Sequence, residues 1–500
     1  MGMIRRVRAD ERGTVLVFVA LALAVFLGLV AMSFDLGRVA ATQSDLQSFA
    51  DNMALAVAGE LDGNADALTR AEAAAVAMIT DTQSFGSGDR TLNRSDVTLT
   101  YLSKLGDETK GEADTVATTA RAARFVKVDV NAHGVQMAFA SAVSVLTGGS
   151  ATNMAVAASA VAGFTQVACQ VTPLMFCLPD ASYRAEDHVG DMIRLRTARS
   201  GASWGPGDFG FLDTAQIPVA PGGPCDGLSG QKLDACLISG IGSVALCFDM
   251  RGVDTLPGQR GGQEDAYFNV RFDMYGQTMN NDGKNPVFAP APNVVAGLVP
   301  DTKGKSGTSD FCKMQPQTDP ATATSMALPQ DTCIANDTCR FGSGDWDRAA
   351  YVAMNHNGTD PEVDPLNPRT RYQMYLDEIH NANLVSSTAP ILPSTTSAGT
   401  TRPENGRPQC FQPPKTGYTA PDADRRVIVA AGIDCGANPV GGRTTGVPVK
   451  EFFRVFLTEP VRANGTTPPT FDILGEIVGS AGGAGSTEDD QFRDVVQLYR

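Results

Sequence analysis

At 500 residues the chain is too long for one compact core, and two to four structural units are expected. A net charge of −15 with 19% charged residues supplies no basic surplus for phosphate neutralisation, so nucleic acid is not an expected partner. A hydrophobic share of 43% argues against disorder throughout, and four His leave little material for His-based catalysis or multi-His metal sites.

In chain order, the first element is an uncharged run of 22 residues from Gly13 to Phe34. As a helix it is roughly 33 Å long, enough to cross a hydrocarbon core of about 30 Å. A cleaved signal peptide would have an apolar region of about 7–15 residues and a small-x-small site. Here the run is longer and passes through Met32, Ser33 and Phe34 into Asp35 without a clear site, so a retained anchor is expected. Arg5, Arg6, Arg8 and Arg12 precede the span, and Arg38 is the lone basic residue shortly after it. The positive-inside bias therefore keeps residues 1–12 cytoplasmic and exports the rest. Val135–Leu146 is too short for a second span, which makes the chain single-pass.

A helical stalk is predicted over residues 35–80. Leu46, Phe49, Ala50, Met53, Ala54, Val57 and Leu61 recur on one helical face, and Gly63-Asn64 supplies a stop. A second helix fits Ala65–Ile79, with Leu68, Ala71, Ala75, Met78 and Ile79 on one side.

The order Asp10-Glu11-Arg12-Gly13, apolar span, Asp35-Leu36-Gly37-Arg38, then Asp45-Leu46-Gln47, Ala50-Asp51 and Ala54-Leu55-Ala56 resembles the N-terminal module of TadG-like proteins. These belong to the Flp (tight adherence, Tad) pilus assembly systems of bacteria. The resemblance covers about residues 8–62. It implies a bacterial inner-membrane protein with a periplasmic or surface-exposed body and other Flp/Tad assembly proteins as partners. Two features depart from related patterns. Flp pilins carry a Glu five residues after a cleavage-site Gly, where this chain has Phe18, so prepilin processing is not expected. The Asp-x-Ser-x-Ser metal motif carried by some TadG-like proteins is absent.

Residues 90–165 read as a mixed α/β domain. Val97–Tyr101 and Val126–Val130 alternate as half-buried strands, followed by a short helix at Val135–Leu146 and an apolar segment at Met154–Val161. This order resembles the Tad-like domain that commonly follows such a module. Residues 166–425 read as loop-rich, with crowded turn signals and little placeable helix. All ten Cys lie between Cys169 and Cys435, an even count on the exported side, so disulfides are expected. The sequence-local candidates are Cys169 with Cys177 and Cys333 with Cys339; zinc is disfavoured by the spacings. Residues 426–500 recover order, with strands expected at Val427–Ala430, Phe452–Leu457 and Ile473–Val478. Ser480–Ser486 reads as flexible, and Phe492–Tyr499 fits either a helix or a terminal strand. Arg425 to Cys435, Gly475–Gly479 and Thr370–Ile379 also resemble TadG-like segments. The fold class is α+β: one transmembrane helix, a helical stalk, a mixed α/β domain and a disulfide-braced, β-containing region.

Candidate chemistry is sparse. Gly205-Pro206-Gly207-Asp208-Phe209-Gly210 fits G-x-G-x-x-G but contains Pro and runs into turn-prone sequence, so a structural loop is expected. Gly304-Lys305-Ser306 has the wrong upstream spacing for a phosphate loop. His188, His356 and His380 have nearby acids in Asp187, Asp360 and Glu378, a pattern more common in polar contacts than in catalysis. Asp345-Trp346-Asp347 and Asn357–Asp364 offer oxygen ligands for Ca²⁺ without EF-hand spacing. No catalytic residue, cofactor, metal or nucleotide is expected. The leading function is a structural or assembly component of a Flp/Tad pilus; a surface adhesin or cell-wall-binding module and an envelope enzyme are the alternatives.

Overall fold

A computed structural model describes residues 12–79, 92–141, 154–197, 203–214, 219–241, 247–258, 264–300, 314–316, 326–361, 370–382, 406–464, 470–483 and 492–499, apart from 64, 107, 136, 220, 251, 296–297, 409 and 415–417. It divides into two compact units, residues 1–165 with 494–500 and residues 166–493.

The smaller unit begins with helix α1 (Arg12–Gly59), about 72 Å long at 1.5 Å per residue. Helix α2 (Ala67–Ile79) and strands β1 (Val97–Lys104), β2 (Thr115–Val116), β3 (Phe125–Val135) and β4 (Met154–Cys169) follow. The sheet runs C-terminal strand (Phe492–Leu498), β4, β3, β1, β2. Every apolar residue of the expected helical face, from Leu46 on α1 to Leu61 just beyond it, is buried with Val126, Val128, Val130, Val156, Ala158 and Ala160 of the sheet. The strand period of two puts those valines on one face, while Lys127 and Asp129 pair at 3.1 Å on the other. One edge of β4 is addressed three times. Gln43 and Gln47 of α1 donate to the carbonyls of Ala157 (2.8 Å) and Ser159 (3.0 Å), and the Tyr499 amide donates to Val161 (2.8 Å).

Val135 ends β3, opposite Met154, rather than starting a helix. A register shift between Val130 and His133 lets the strand run on and bury Val135 with the others. Helix occupies residues 138–141, and the remainder of the expected helix, 142–146, lies outside the described residues. The tail is a strand, because its Val496 joins this core and Tyr499 meets the Phe125 ring edge-on at 5.1 Å. Gly163 lies under that pair: a Cβ there would fall 2.4 Å from the Phe125 ring and 2.9 Å from Tyr499.

The larger unit carries strands β5 (Leu174–Cys177), β6 (Met192–Thr197) and β7 (Asp208–Leu212), helix α3 (Gln231–Ser239), β8 (Cys247–Asp249), β9 (Val253–Pro257), α4 (Glu264–Asn269), β10 (Leu298–Pro300) and β11 (Met314–Pro316). Helices α5 (Thr332–Ala335), α6 (Arg348–His356) and α7 (Arg371–Ala382) precede β12 (Val427–Ile433), β13 (Thr444–Val447), β14 (Glu451–Leu457), β15 (Arg462–Asn464) and β16 (Thr470–Gly483). The pairings β7–β5–β12–β14–β16–β6–β7 close on themselves, so six strands form a barrel. β5–β12 and β6–β7 are parallel, and the other four contacts are antiparallel. β9 and β13 extend outward from β7, and β15 pairs with β16. Phe176, Ile193, Leu195, Phe209, Phe453, Val455 and Ile477 share one core. Among the described residues, 166–425 thus supply three barrel strands and five α-helices, and the strands after 426 complete the same barrel. Closure needs both segments, so the barrel belongs to neither alone, while β10 and β11 pair separately as a two-stranded sheet. Residues 480–483 of the expected flexible run belong to β16; the rest lies outside the described residues.

The disulfides correct the sequence-local pairing of Cys169 with Cys177. Cys169 bonds Cys247, its register partner across β4 and β8, and Cys177 bonds Cys435 just beyond β12. Each sits on an extended segment whose hydrogen-bonded neighbour is a different strand, and the bond forms to that neighbour. Cys225–Cys236 and Cys333–Cys339 close short loops, and Cys410 is also bonded.

Two measurements test this architecture. Non-reducing peptide mapping returns Cys169–Cys247 and Cys177–Cys435 peptides; a Cys169–Cys177 peptide contradicts the barrel register. Deleting residues 492–500 speeds amide exchange in β4 residues 157–163 and leaves β12 and β14 protected.

Candidate functional site: a bare helix and a buried arginine network

Two features of the chain stand apart chemically. The first is the leading half of α1. From Val15 to Phe34 its large apolar side chains lie open, Leu16 and Phe18 by more than 70%. Among the described residues it is the one helix long and apolar enough to cross a membrane. In water such a surface would be strongly unfavourable, whereas in hydrocarbon it is the expected state. Several residues of the N-terminal motif are contact residues. Asp35 is only 2% exposed, and its carboxylate accepts the amides of Phe139 (3.3 Å) and Ala140 (2.7 Å). Gln47 bonds β4 as described above, and Ala50 and Ala54 face the sheet, where larger side chains would hold the helix off.

The second feature lies in the larger unit. Arg371, the first residue of α7, is fully buried between Asp331 and Glu476. Its guanidinium pairs with Asp331 and lies 3.2 Å from Glu476, while Trp346 faces it at 5.4 Å. The Glu476 carboxylate also accepts the amides of Arg371 (2.8 Å) and Tyr372 (2.9 Å), placing an anion on the first turn of α7. Thr370 caps the same turn through Gln373 at 3.1 Å. Burial pushes Glu476 above the ordinary carboxylate range, against the opposing pull of Arg371 and the two amides. Asp331 accepts further amides from Met192, Ser343 and Gly344.

Arg426 lies beside this helix, boxed by Phe272, Tyr375 and Phe456 at 4.4–4.9 Å. Its guanidinium donates to the carbonyls of Leu457, Thr458 and Asn293. Arg425 donates to Ala289 and Ser239, and burial lowers it to about 10. The segments 370–379, 425–435 and 475–479, far apart in sequence, therefore meet: α7 rests on Glu476, and Tyr375 lies over Arg426. Every charge in this cluster is turned into the protein. The arrangement binds α7 to the barrel and offers no open face to a substrate.

His356 bonds Glu378 (2.8 Å) rather than Asp360, and Glu378 also accepts Tyr351 (2.7 Å) and Asn293. His188 bonds Asp191 (2.8 Å) and stacks on Tyr183, whereas sequence proximity pointed to Asp187. In the acidic loops Asp347 caps α6 through Ala350, Asp360 pairs with Arg348, and Asn357 takes the left-handed position that ends α6. Residues 362–364 lie outside the described residues. Among those described, no group of three His, Cys, Asp or Glu is placed to hold a metal ion. Two of the glycines in Gly205–Gly210 are accounted for by backbone conformation and packing. Gly207 has a positive φ of 76°, and a Cβ on Gly210 would strike the Trp204 ring at 2.4 Å. The run leads into strand β7, not a helix. Gly304-Lys305-Ser306 lies outside the described residues.

One motif was missed by sequence reasoning. Gly201-Ala202-Ser203-Trp204-Gly205 fits G-x-S-x-G, but a nucleophile elbow needs a strand-to-helix turn. Here Ser203 precedes a turn and β7, with residues 201–202 outside the described set. The buried arginine network was also missed, because its members are separated by up to 145 residues and only the folded barrel unites them.

Compared with known protein families, curated proteins and solved structures, the chain matches none.

The network predicts a graded response to substitution. Glu476→Ala leaves Arg371 with one carboxylate and two α7 amides without their acceptor, and lowers stability by about 3–5 kcal/mol. Glu476→Gln keeps an acceptor oxygen and loses less. Denaturant unfolding of the two variants reads the difference; equal losses would contradict the capping role.

Proposed function

We propose that this protein is a membrane-anchored structural or assembly component of a Flp/Tad-type pilus system in the bacterial envelope. The observation that carries the reading is α1 itself: one uninterrupted helix, bare over a membrane's thickness and then packed along a sheet. Among the N-terminal residues that resemble TadG-like proteins, Asp35, Gln47, Ala50 and Ala54 lie at the contacts of this junction. In this reading residues 1–12 are cytoplasmic, the span lies in the inner membrane, and the body is periplasmic or surface-exposed.

The mode of action is mechanical. A helix without a flexible joint carries displacement of the body to the span, and disulfides suit an oxidising compartment. The buried charges at Arg371, Asp331 and Glu476 hold α7 to the barrel, which favours a scaffold over an enzyme.

A strain lacking the protein should lose surface pili when imaged by electron microscopy and regain them with the full chain. A complementing chain carrying Leu23→Arg and Phe26→Arg should leave the carbonate-resistant membrane fraction and fail to restore pili. Normal piliation without the protein, together with no recovery of other Tad components on purification, would refute the assignment.

A further inference from the structure

The apolar surface of the smaller unit does not stop where the span ends. Phe34 closes the span at 60% exposure, Leu36 follows at 44%, and Phe139 stands beside them at 43% although it is 105 residues later in the chain. The Phe34 and Phe139 rings meet edge-on with centroids 5.6 Å apart. Phe139 lies on the helical stretch 138–141, whose neighbours Met137, Ala138 and Ala140 are small or apolar.

The backbone there is prepared for a dry setting. The first amides of a helix have no partner within it, and at the edge of hydrocarbon each would be costly. Buried Asp35 accepts two of them, from Phe139 and Ala140. A carboxylate with this task belongs where lipid meets water: deeper, it would be too costly to ionise, and farther out, water would serve those amides. One turn beyond Phe34, on the same side of α1, Arg38 can extend along its stem to the level of lipid phosphates. An aromatic pair below a basic residue is the order of side chains found at a membrane boundary.

We propose that residues 137–141, through Phe139, rest in the interfacial layer of the bilayer, giving the smaller unit a second membrane contact beside the span. The occupant of this apolar surface is lipid, because the surface continues that of the span without a polar break. The inference relies on the span being in the membrane, and the test separates the two. The contact fixes the rotation of α1 about its own axis, which a lone span leaves free.

Trp reporters placed in the full-length protein, reconstituted in phosphatidylcholine vesicles, decide the matter. Phe26→Trp reports the span, Phe139→Trp and Ala138→Trp report the proposed contact, and Val116→Trp, 60% exposed on β2, reports open solvent. Wild-type emission, from Trp204 and Trp346, is subtracted. With lipids brominated near the headgroup end of the chain, Phe139→Trp or Ala138→Trp loses most of its added emission. Phe26→Trp is quenched more by lipids brominated deeper, and Val116→Trp is unaffected. Quenching of Phe26→Trp with neither reporter at 138 or 139 quenched overturns the second contact and leaves the anchor standing. Failure to quench Phe26→Trp overturns both.

Discussion

A single helix with two different surfaces is the constraint on which the smaller unit depends. Over its first half the large apolar side chains of α1 lie open, and they are those that hydrocarbon accepts. Over its second half the same helix becomes one wall of a core, with small residues at Ala50, Ala54 and Ala58 so that the sheet can approach. The change is made by Asp35, a buried carboxylate that would be untenable in the bilayer and unnecessary in water. Nothing in the helix backbone marks the transition; the side chains alone divide it.

The larger unit solves a different problem. Short strands in loop-rich sequence expose edges, and closing six of them into a barrel removes those edges without long strands. The outer face then needs cover, which α7 and the loops around Asp331 supply. Buried arginines are the fasteners because a guanidinium offers five donors in a rigid plane, enough to serve several carbonyls or two carboxylates at once. Arg426 shows the aromatic version, with rings on its faces and three carbonyls at its rim. Desolvating these ions is expensive, and only the full set of partners offsets it. Their value therefore lies in fixing one arrangement of loops, since any other leaves a buried charge unanswered.

How much of this was legible in the sequence follows from the range of the interactions. The long apolar helix, the buried face from Leu46 to Leu61 and the strands at Val97, Val126, Val427, Phe452 and Ile473 were readable, because each is a local pattern in polarity. Val135 was misread since an apolar run of twelve residues carries no period to distinguish strand from helix. The short strands β5–β7 were hidden by surrounding turns, and the partner of Cys169 by its distance of 78 residues. Cys333 and Cys339 lie six apart and bond across one small loop, which leaves a local trace. The arginine network has no such trace. Arg371, Arg426 and Glu476 look like ordinary surface charges until the barrel brings Glu476 and Arg426 against α7.

The chain's route adds a mechanical argument. It leaves the smaller unit along β4 and returns to it in the C-terminal strand, and these two strands are hydrogen-bonded neighbours. The larger unit is thus an insertion between adjacent strands of the sheet that α1 packs against. Tension applied to an insertion reaches its host through both connections, and paired neighbours share it across their hydrogen bonds instead of peeling one strand alone. Tyr499 on Phe125, with Gly163 beneath, secures the returning strand at its last described residue. A body attached in this way passes force to the sheet and from the sheet to α1, which runs without a break from the buried core into its exposed apolar half.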